Sequence, residues 1–375
     1  MHWKRILLLA AVVPGLLTAP AAAVTPATSA RAAVLMDGDS GRVLYASNAQ
    51  EERAIASITK IMTALVALES VEDLGQTVTI QAADLQTEGS SMYLKEGEQL
   101  TFEELMYGLL LSSGNDAALA VARVCAGDVE TFVSWMNQRA ESLGMDHTHF
   151  TNPNGLTEEG HYSSAEDMAI LTREALQNDV FVRMVSTKTV SIGGRELTNH
   201  NKLLWNYAGA IGVKTGYTEA AGRTLVSAAV RNGQTLIAVT LDDSTDWEDH
   251  TALLDYGFSH YPAALLCHAG KAVSQVTVAD GEEEVVALVT ASDVYYPLAE
   301  GEQVRARVTL PDAVSAPVEA GAIAGQVEFL MDGQVVGKSY LVFETDVERR
   351  RPEGILERIG QLFRPRLAAA AGGAL

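Results

Sequence analysis

Two short apolar runs, Ala33-Val34-Leu35-Met36 and Arg42-Val43-Leu44-Tyr45, flank Asp37-Gly38-Asp39-Ser40-Gly41. Apolar run, turn residues and second apolar run predict a β-hairpin. The period then changes to that of a helix. Ile61, Leu65 and Leu68 continue one face of a helix that begins near Ser57. Residues 102–111 predict a second helix, broken around Ser112-Ser113-Gly114. Residues 116–125 predict a third, Ala-rich and suited to close packing. Strands return at 223–230 and 234–241, joined by Asn232-Gly233. Asn-Gly between apolar runs is the strongest short hairpin signal. Helices set between an early and a late hairpin predict an α+β domain over residues 33–261. Its sheet would be antiparallel, with helices flanking it and the first and last strands paired.

The pattern changes again near Tyr261-Pro262. From 272 to 343 it becomes short alternating runs punctuated by Gly, Pro and Asp, including Met331-Asp332-Gly333. This predicts a small all-β domain over 262–345, with no obvious nucleophile or metal cluster. A structural or spacing role is the simplest reading of it.

Both ends differ from the middle. Lys4 and Arg5 precede an apolar stretch over 6–17, and Ala21-Ala22-Ala23 offers small residues for cleavage. Residues 1–23 therefore predict a signal peptide, and the Pro/Thr/Ser/Ala-rich residues 24–32 a linker. The alternative, an uncleaved anchor, fits less well because the stretch is short for a spanning helix. The protein is expected to be exported, with its bulk outside the cytoplasm. At the other end, Ile355, Leu356, Ile359, Leu362 and Phe363 share one helical face, and Arg349-Arg350-Arg351, Arg358, Arg364 and Arg366 add positive charge. Residues 346–375 predict a basic amphipathic tail that binds an anionic membrane surface reversibly. The competing reading is a helix docked on the protein itself, or a frayed end.

The net charge of −21 removes nucleic acid from the partners considered, since phosphate binding needs basic surface. Two cysteines, Cys125 and Cys267, lie far apart in sequence, and free thiols are the expected state.

The chemistry rests on three short motifs in order. Ser57-Ile58-Thr59-Lys60 places a hydroxyl and an amine on one helical face. A serine needs an adjacent base to become a nucleophile. Lysine can be that base if burial or a second cation such as Lys214 disfavours its charged form. Alone, the motif reads as an N-capping serine and an exposed lysine. Ser113-Gly114-Asn115 follows in the break between two helices. Ser113 could relay protons, and Asn115 could hold Lys60 and bond a substrate amide. Alone, it reads as a turn and a cap. Lys214-Thr215-Gly216-Tyr217-Thr218 opens a predicted edge strand beside the cleft. A substrate strand could pair with that edge. Lys214 would supply charge for a carboxylate, Thr215 and Thr218 hydroxyls, and Gly216 room for approach. The backbone N–H groups of Ser57 and Tyr217 would form an oxyanion hole. Three motifs in this order outweigh the three ordinary explanations, although the middle one reads Ser-Gly-Asn where Ser-Asp-Asn is the familiar form.

With these motifs the chain resembles the D-alanyl-D-alanine carboxypeptidases, the low-molecular-mass penicillin-binding proteins. Asn152-Pro153-Asn154-Gly155-Leu156 and Gly160-His161-Tyr162-Ser163-Ser164-Ala165 look like that family's connecting segment. Residues 316–333 resemble its C-terminal β-domain, and the tail resembles its membrane anchor. The resemblance implies a β-lactamase/transpeptidase-like catalytic domain and no cofactor. It also implies removal of the terminal D-alanine from peptidoglycan stem peptides through an acyl-enzyme on Ser57, with β-lactams as covalent inhibitors. One departure concerns the loop after the late hairpin. Many members carry a basic residue there, whereas this loop reads Leu241-Asp242-Asp243-Ser244-Thr245-Asp246. Carboxylate recognition would then lean on Lys214, Thr215 and Thr218. The alternatives are a β-lactamase of the same fold and a non-catalytic penicillin-sensing or cell-wall-binding protein. A metal hydrolase built on Asp146, His147, His149 and His161 is disfavoured, because no recurring ligand spacing is present.

Overall fold

The structure, a computed structural model, describes residues 25–351 and the backbone of Lys4–Leu9. It divides into two units. Among the described residues, one spans 25–264 with 297–302, and the other 265–296 and 303–351 with 4–9.

The first unit is built on a five-stranded antiparallel sheet. Its strands are β1 (Ala32–Asp37), β2 (Val43–Ser47), β3 (Ala210–Thr218), β4 (Gly222–Arg231) and β5 (Gln234–Leu241), in the order β2-β1-β5-β4-β3. The expected pairing of first and last strands is present, with Val34 opposite Val239. Successive side chains of a strand point to opposite faces. Val34, Met36, Ile237 and Val239 accordingly join one core, while Leu35, Leu236 and Ala238 join another. Both faces are therefore covered, which is why β1 and the middle of β5, Leu236–Val239, are apolar. The larger core is made with helices α1 (Lys60–Ser70), α2 (Phe102–Leu110), α3 (Asn115–Ala126), α4 (Val129–Ser142), α5 (Ala165–Ala175) and α6 (Asp179–Ser186). The other face is covered by α7 (Asp246–His260), through Leu253 and Leu254. The Asn232-Gly233 hairpin forms as predicted, with φ of 53° and 80° supplying the left-handed turn.

The second unit is all-β. Strands β6 (Ala272–Ala279), β7 (Val285–Thr290), β8 (Arg305–Pro311), β9 (Ala313–Ser315), β10 (Ile323–Met331) and β11 (Gln334–Phe343) form one sheet with Lys4–Leu9, which pairs antiparallel to β8. The rest of the predicted signal peptide and the amphipathic segment 353–363 lie outside the described residues.

Three sequence boundaries shift. Residues 24–32 are not a free linker throughout, because the Ser29 N–H donates to Asp249 Oδ2 at 2.6 Å and Ala32 is already strand. Residues 297–302 return to the first unit, held by Arg42, whose Nη1 donates to Glu302 Oε2 at 2.8 Å and to the Pro297 carbonyl at 2.6 Å. The β-unit continues past 345, since Val347 pairs with Val318 and the Arg349 guanidinium donates to the Ala316 carbonyl at 2.8 Å. The basic tail therefore starts later than its charges imply. Cys125 and Cys267 are free thiols, and no described helix is long and apolar enough to cross a membrane.

His250 on α7 is fully buried between Ser227 Oγ (2.5 Å) and Thr240 Oγ1 (2.9 Å). Burial pushes its pKa down to about 3, against an ordinary value near 6.5. Below about pH 6.5 the unfolded chain takes up a proton that the native imidazole refuses, so this site's contribution is lost as pH falls toward 3. Between pH 7 and 4.5 the loss is about 2–3 kcal/mol. Urea melts at both pH values should show His250→Gln lacking that share of the wild-type pH dependence.

Candidate active site

The nucleophile turn is fixed from three sides. Ala56–Thr59 is a 3-10 turn leading into α1, with Ala56 at φ 50°. A left-handed non-glycine residue costs of order 1–3 kcal/mol and persists only when its surroundings hold it. Here Thr224 Oγ1 donates to the Ile55 carbonyl at 3.0 Å. Thr59 Oγ1 donates to the Ala56 carbonyl at 2.8 Å and lies 2.8 Å from His161 Nε2. The Thr151 N–H donates to His161 Nδ1 at 3.1 Å, so Nε2 carries the proton and points at Thr59. Burial pushes His161 down to about 4, which keeps this relay neutral. His161 is thus a brace for the Ser57 turn, and among the described residues no cluster could hold a metal ion.

Lys60 begins α1 and is fully buried. Its Nζ lies 3.0 Å from Ser57 Oγ, 2.7 Å from Asn115 Oδ1 and 2.5 Å from the Asn154 carbonyl. The last two oxygens only accept, whereas a hydroxyl can donate or accept. A neutral amine satisfies this set fully: it donates to Asn115 and Asn154 and its lone pair receives the Ser57 proton. Burial holds the Lys60 pKa well below that of an ordinary lysine, the charge of Lys214 lowers it further, and Asp116 opposes them.

The middle motif closes the other wall. Asn115 opens α3, and its Nδ2 donates to the Glu88 carbonyl at 2.6 Å. Its oxygen is thereby aimed at Lys60. Ser113 sits at φ 56°, is 4% exposed and lines the cleft with no hydrogen-bond partner among the described residues. The neighbouring Asp116 is buried and accepts from Ser91 Oγ (2.6 Å) and the N–H groups of Met92 and Leu94 (both 3.0 Å). It ties the loop over the cleft to α3.

The third motif lies on the sheet's edge strand β3, which carries Lys214 at its middle rather than its start. Thr215, Gly216 and Tyr217 line the cleft of about 450 Å³ together with Ser57 and Ser113. A Cβ on Gly216 would lie 2.9 Å from the Ser57 nitrogen and collide with Thr224 Oγ1, so this position admits no side chain. Lys214 does not meet the cleft. It is 2% exposed, its Nζ donates to the Thr215 carbonyl at 2.8 Å, and burial pushes it down to about 7. Thr218 Oγ1 accepts from Thr157 Oγ1 (3.2 Å) and the Ala221 N–H (3.1 Å) at the strand's end. Thus Ser57, Lys60, Ser113 and Asn115 converge, Thr215, Gly216 and Tyr217 face them, and Lys214 stands behind. Sequence reasoning missed the Asn154 carbonyl, Asp116, the brace role of His161, and Arg223 and Trp247 in the cleft wall. Asn152-Pro153-Asn154-Gly155 was visible as a segment, but its backbone contact with an amine has no residue signature.

Comparison with known proteins gives the family. The profile of the D-alanyl-D-alanine carboxypeptidase (peptidase S11) family matches residues 19–245, and that of the penicillin-binding protein 5 C-terminal domain matches 261–349. D-alanyl-D-alanine carboxypeptidase DacF of Bacillus subtilis is 35% identical over 338 residues, covering 86% of this chain and 87% of that one. The crystal structure of penicillin-binding protein 5 from Haemophilus influenzae is 31% identical, with a TM-score of 0.72, over 87% of this chain and 99% of that one. A mutant of the Streptomyces K15 DD-transpeptidase is 35% identical, with a TM-score of 0.60, over 63% of this chain and all of that one. The chain belongs to the D-alanyl-D-alanine carboxypeptidase family of serine peptidases, with a penicillin-binding protein 5-type C-terminal domain.

Proposed function

We propose that the chain removes the terminal D-alanine from peptidoglycan stem peptides through an acyl-enzyme on Ser57. The observation that carries this is the Lys60 amine, held between two obligate acceptors and the Ser57 hydroxyl at 3.0 Å. Ser57 Oγ attacks the carbonyl carbon of the penultimate D-alanine, and its proton passes to Lys60 Nζ. The oxyanion that forms meets the N–H groups of Ser57 and Tyr217. Gly216, bare beside the Ser57 nitrogen, leaves it room. Collapse of the intermediate breaks the peptide bond, and the leaving amine takes a proton from Lys60 through Ser113. Water then attacks the ester and gives a proton to Lys60; the acyl–Oγ bond breaks, and Lys60 passes that proton to the departing Ser57 Oγ. The substrate backbone pairs with the edge of β3, Thr215 and Thr218 offer hydroxyls, and Lys214 contributes charge from behind the strand. β-Lactams would acylate Ser57 by the same route and stay bound.

We further propose that the protein acts outside the cytoplasm, its leader removed, on the outer face of the cell membrane. The charge and period of the 353–363 segment support a reversible hold on anionic lipid. Arg349 donates to the Ala316 carbonyl and Arg350 lies 3.9 Å from Glu284, which leaves Arg351, Arg358, Arg364 and Arg366 as the charges for binding.

Ser57→Ala should release no D-alanine and take up no labelled penicillin while keeping a wild-type melting curve; residual release would remove Ser57 as nucleophile. Lys60→Ala should slow acylation by about 100-fold or more, as expected for loss of a general base. Gly216→Ala should slow acylation comparably while costing about 1–3 kcal/mol in a urea melt, from overpacking. The chain from residue 24 should sediment with vesicles of anionic lipid, less so at high salt, and the same chain ending at 351 should not.

A further inference from the structure

Two lysines, Lys60 and Lys214, are buried in the catalytic unit. Neither has a carboxylate within ion-pair distance among the described residues. Lys60 Nζ meets Ser57 Oγ, Asn115 Oδ1 and the Asn154 carbonyl, and Lys214 Nζ meets the Thr215 carbonyl. An amine that must take up a proton in such an enclosure needs an anion within the same low dielectric. The buried Asp84 and Asp246 are committed to arginines, Arg123 and Arg223. Asp116 is committed to none, and the chain puts it next to a residue that touches Lys60.

Asp116 is the second residue of α3, one past the Asn115 whose Oδ1 accepts from Lys60 Nζ at 2.7 Å. It is 3% exposed. Its Oδ1 accepts from the N–H groups of Met92 (3.0 Å) and Ala117 (2.9 Å). Its Oδ2 accepts from Ser91 Oγ (2.6 Å) and the Leu94 N–H (3.0 Å). Four donors on two oxygens leave no oxygen to carry a proton, so the group is a carboxylate. All four donors are neutral. They solvate the charge without cancelling it, and the N-terminal turn of α3 favours it further. Three ionisable groups face Lys60 from other elements: Lys214 from β3, His161 from the 152–161 segment and Asp116 from α3. Burial pushes His161 down to about 4, so it is neutral at working pH. Charges on the remaining elements around α1 are answered locally. Arg139 of α4 lies 2.7 Å from Glu69 and 2.6 Å from Glu174, and Arg183 of α6 lies 2.6 Å from Glu103 of α2. Asp167 of α5 accepts from the His147 N–H and Thr148 Oγ1. Arg195 also feels Asp116 but is paired with Glu98 in two bonds of 2.6 and 2.8 Å.

We infer that Asp116 is a positioning residue for the reaction: a buried counter-anion that stabilises Lys60 in the protonated form it takes during acylation, and so sets the pH range in which the enzyme works. The inference rests on the carboxypeptidase reading and deepens it. As Ser57 Oγ bonds to the substrate carbonyl carbon, its proton moves to the Lys60 lone pair. Until that proton leaves with the departing amine, an ammonium stands in the enclosure beside Lys214. Like charges in one buried site oppose each other, and an anion there relieves them. Burial lowers the Lys60 pKa most and Lys214 lowers it further, while Asp116 raises it. The lack of direct contact matters as much as the charge. A carboxylate bonded to Nζ would hold the ammonium in the resting enzyme and occupy the lone pair that Ser57 needs. Asp116 is kept off Lys60 by its own four donors, with Asn115 making the contact instead. It acts through its field alone.

The test is the pH profile of kcat/KM for D-alanine release from an acyl-L-lysyl-D-alanyl-D-alanine peptide, whose acid limb reports the base of the free enzyme. Asp116→Asn should move that limb to lower pH by about one unit, as for one opposite charge lost from a buried neighbourhood. It should also lower the plateau about 3- to 10-fold, because a weaker base takes the serine proton less readily. Lys214, pushed down to about 7 by burial, titrates in the same span, but Asp116 is not what shifts it, so its share of the profile stays put. Asp116→Glu keeps the charge and should keep the limb, even if the longer side chain lowers the plateau. Ser91→Ala removes a donor and part of the loop tie but no charge, and should likewise leave the limb in place. Asp116→Ser, smaller and equally uncharged, repeats the test should the asparagine amide clash with the Leu94 N–H. A limb that stays at its native pH in the neutral variants, or moves as far in Asp116→Glu, would make Asp116 a loop tie only and overturn the inference alone. A folded native protein that releases no D-alanine would overturn the carboxypeptidase reading, and this inference with it.

Discussion

A lysine amine enclosed beside a serine hydroxyl is the constraint around which this catalytic unit is arranged. An ammonium without full compensation is costly to bury, so the enclosure selects the neutral amine. The acceptors then decide what the amine does. Asn115 Oδ1 and the Asn154 carbonyl take its two hydrogens, which turns the lone pair toward Ser57 at 3.0 Å. Each acceptor is itself held. Asn115 is anchored by the Glu88 carbonyl at 2.6 Å, and the 152–156 loop by internal bonds such as that from the Gly155 N–H to Asn152 Oδ1 at 2.8 Å. Gly155, at φ 84° against the Ala56 carbonyl, occupies a place where no other residue fits.

The strained backbone lies on both sides of that amine. Ala56 precedes the nucleophile and Ser113 precedes Asn115 by two residues, and both have positive φ. Such positions persist only where packing over-determines them. The Thr224–Ile55 bond and the His161–Thr59–Ala56 relay supply that determination for the first. Pre-ordering of this kind spares the reaction from reorganising dipoles as charge develops. Lys214 adds a buried positive charge behind the edge strand. It lowers the Lys60 pKa and leaves direct contact with the substrate to the cleft wall.

The sheet makes these placements possible because it is covered on both faces. Its apolar alternation commits β1 and β5 to two cores and leaves β3 as the exposed edge. An unpaired edge is normally a liability. Here it forms one wall of the cleft beside the nucleophile turn, where an extended peptide can complete it. The all-β unit has its own sheet and carries none of the site residues.

The sequence by itself determined the early and late hairpins, three helices expected from near 57, at 102–111 and at 116–125, the change to short strands after 261 and the three motifs. These are local: turn chemistry, apolar period and residue spacing are written within a few positions. Only the tertiary structure decided what lies next to what. The Asn154 carbonyl reaches Lys60 across 94 residues and His161 reaches Thr59 across 102, contacts made by chain topology rather than by any local preference. It also decided which cations are exposed. Lys214 is a cation in the sequence but a buried one in the fold, while Arg223, which has no motif around it, stands in the cleft wall because β4 pairs with β3 and Asp246 turns its fork. Exposure and aim belong to the packed molecule, since they depend on residues far away in the chain.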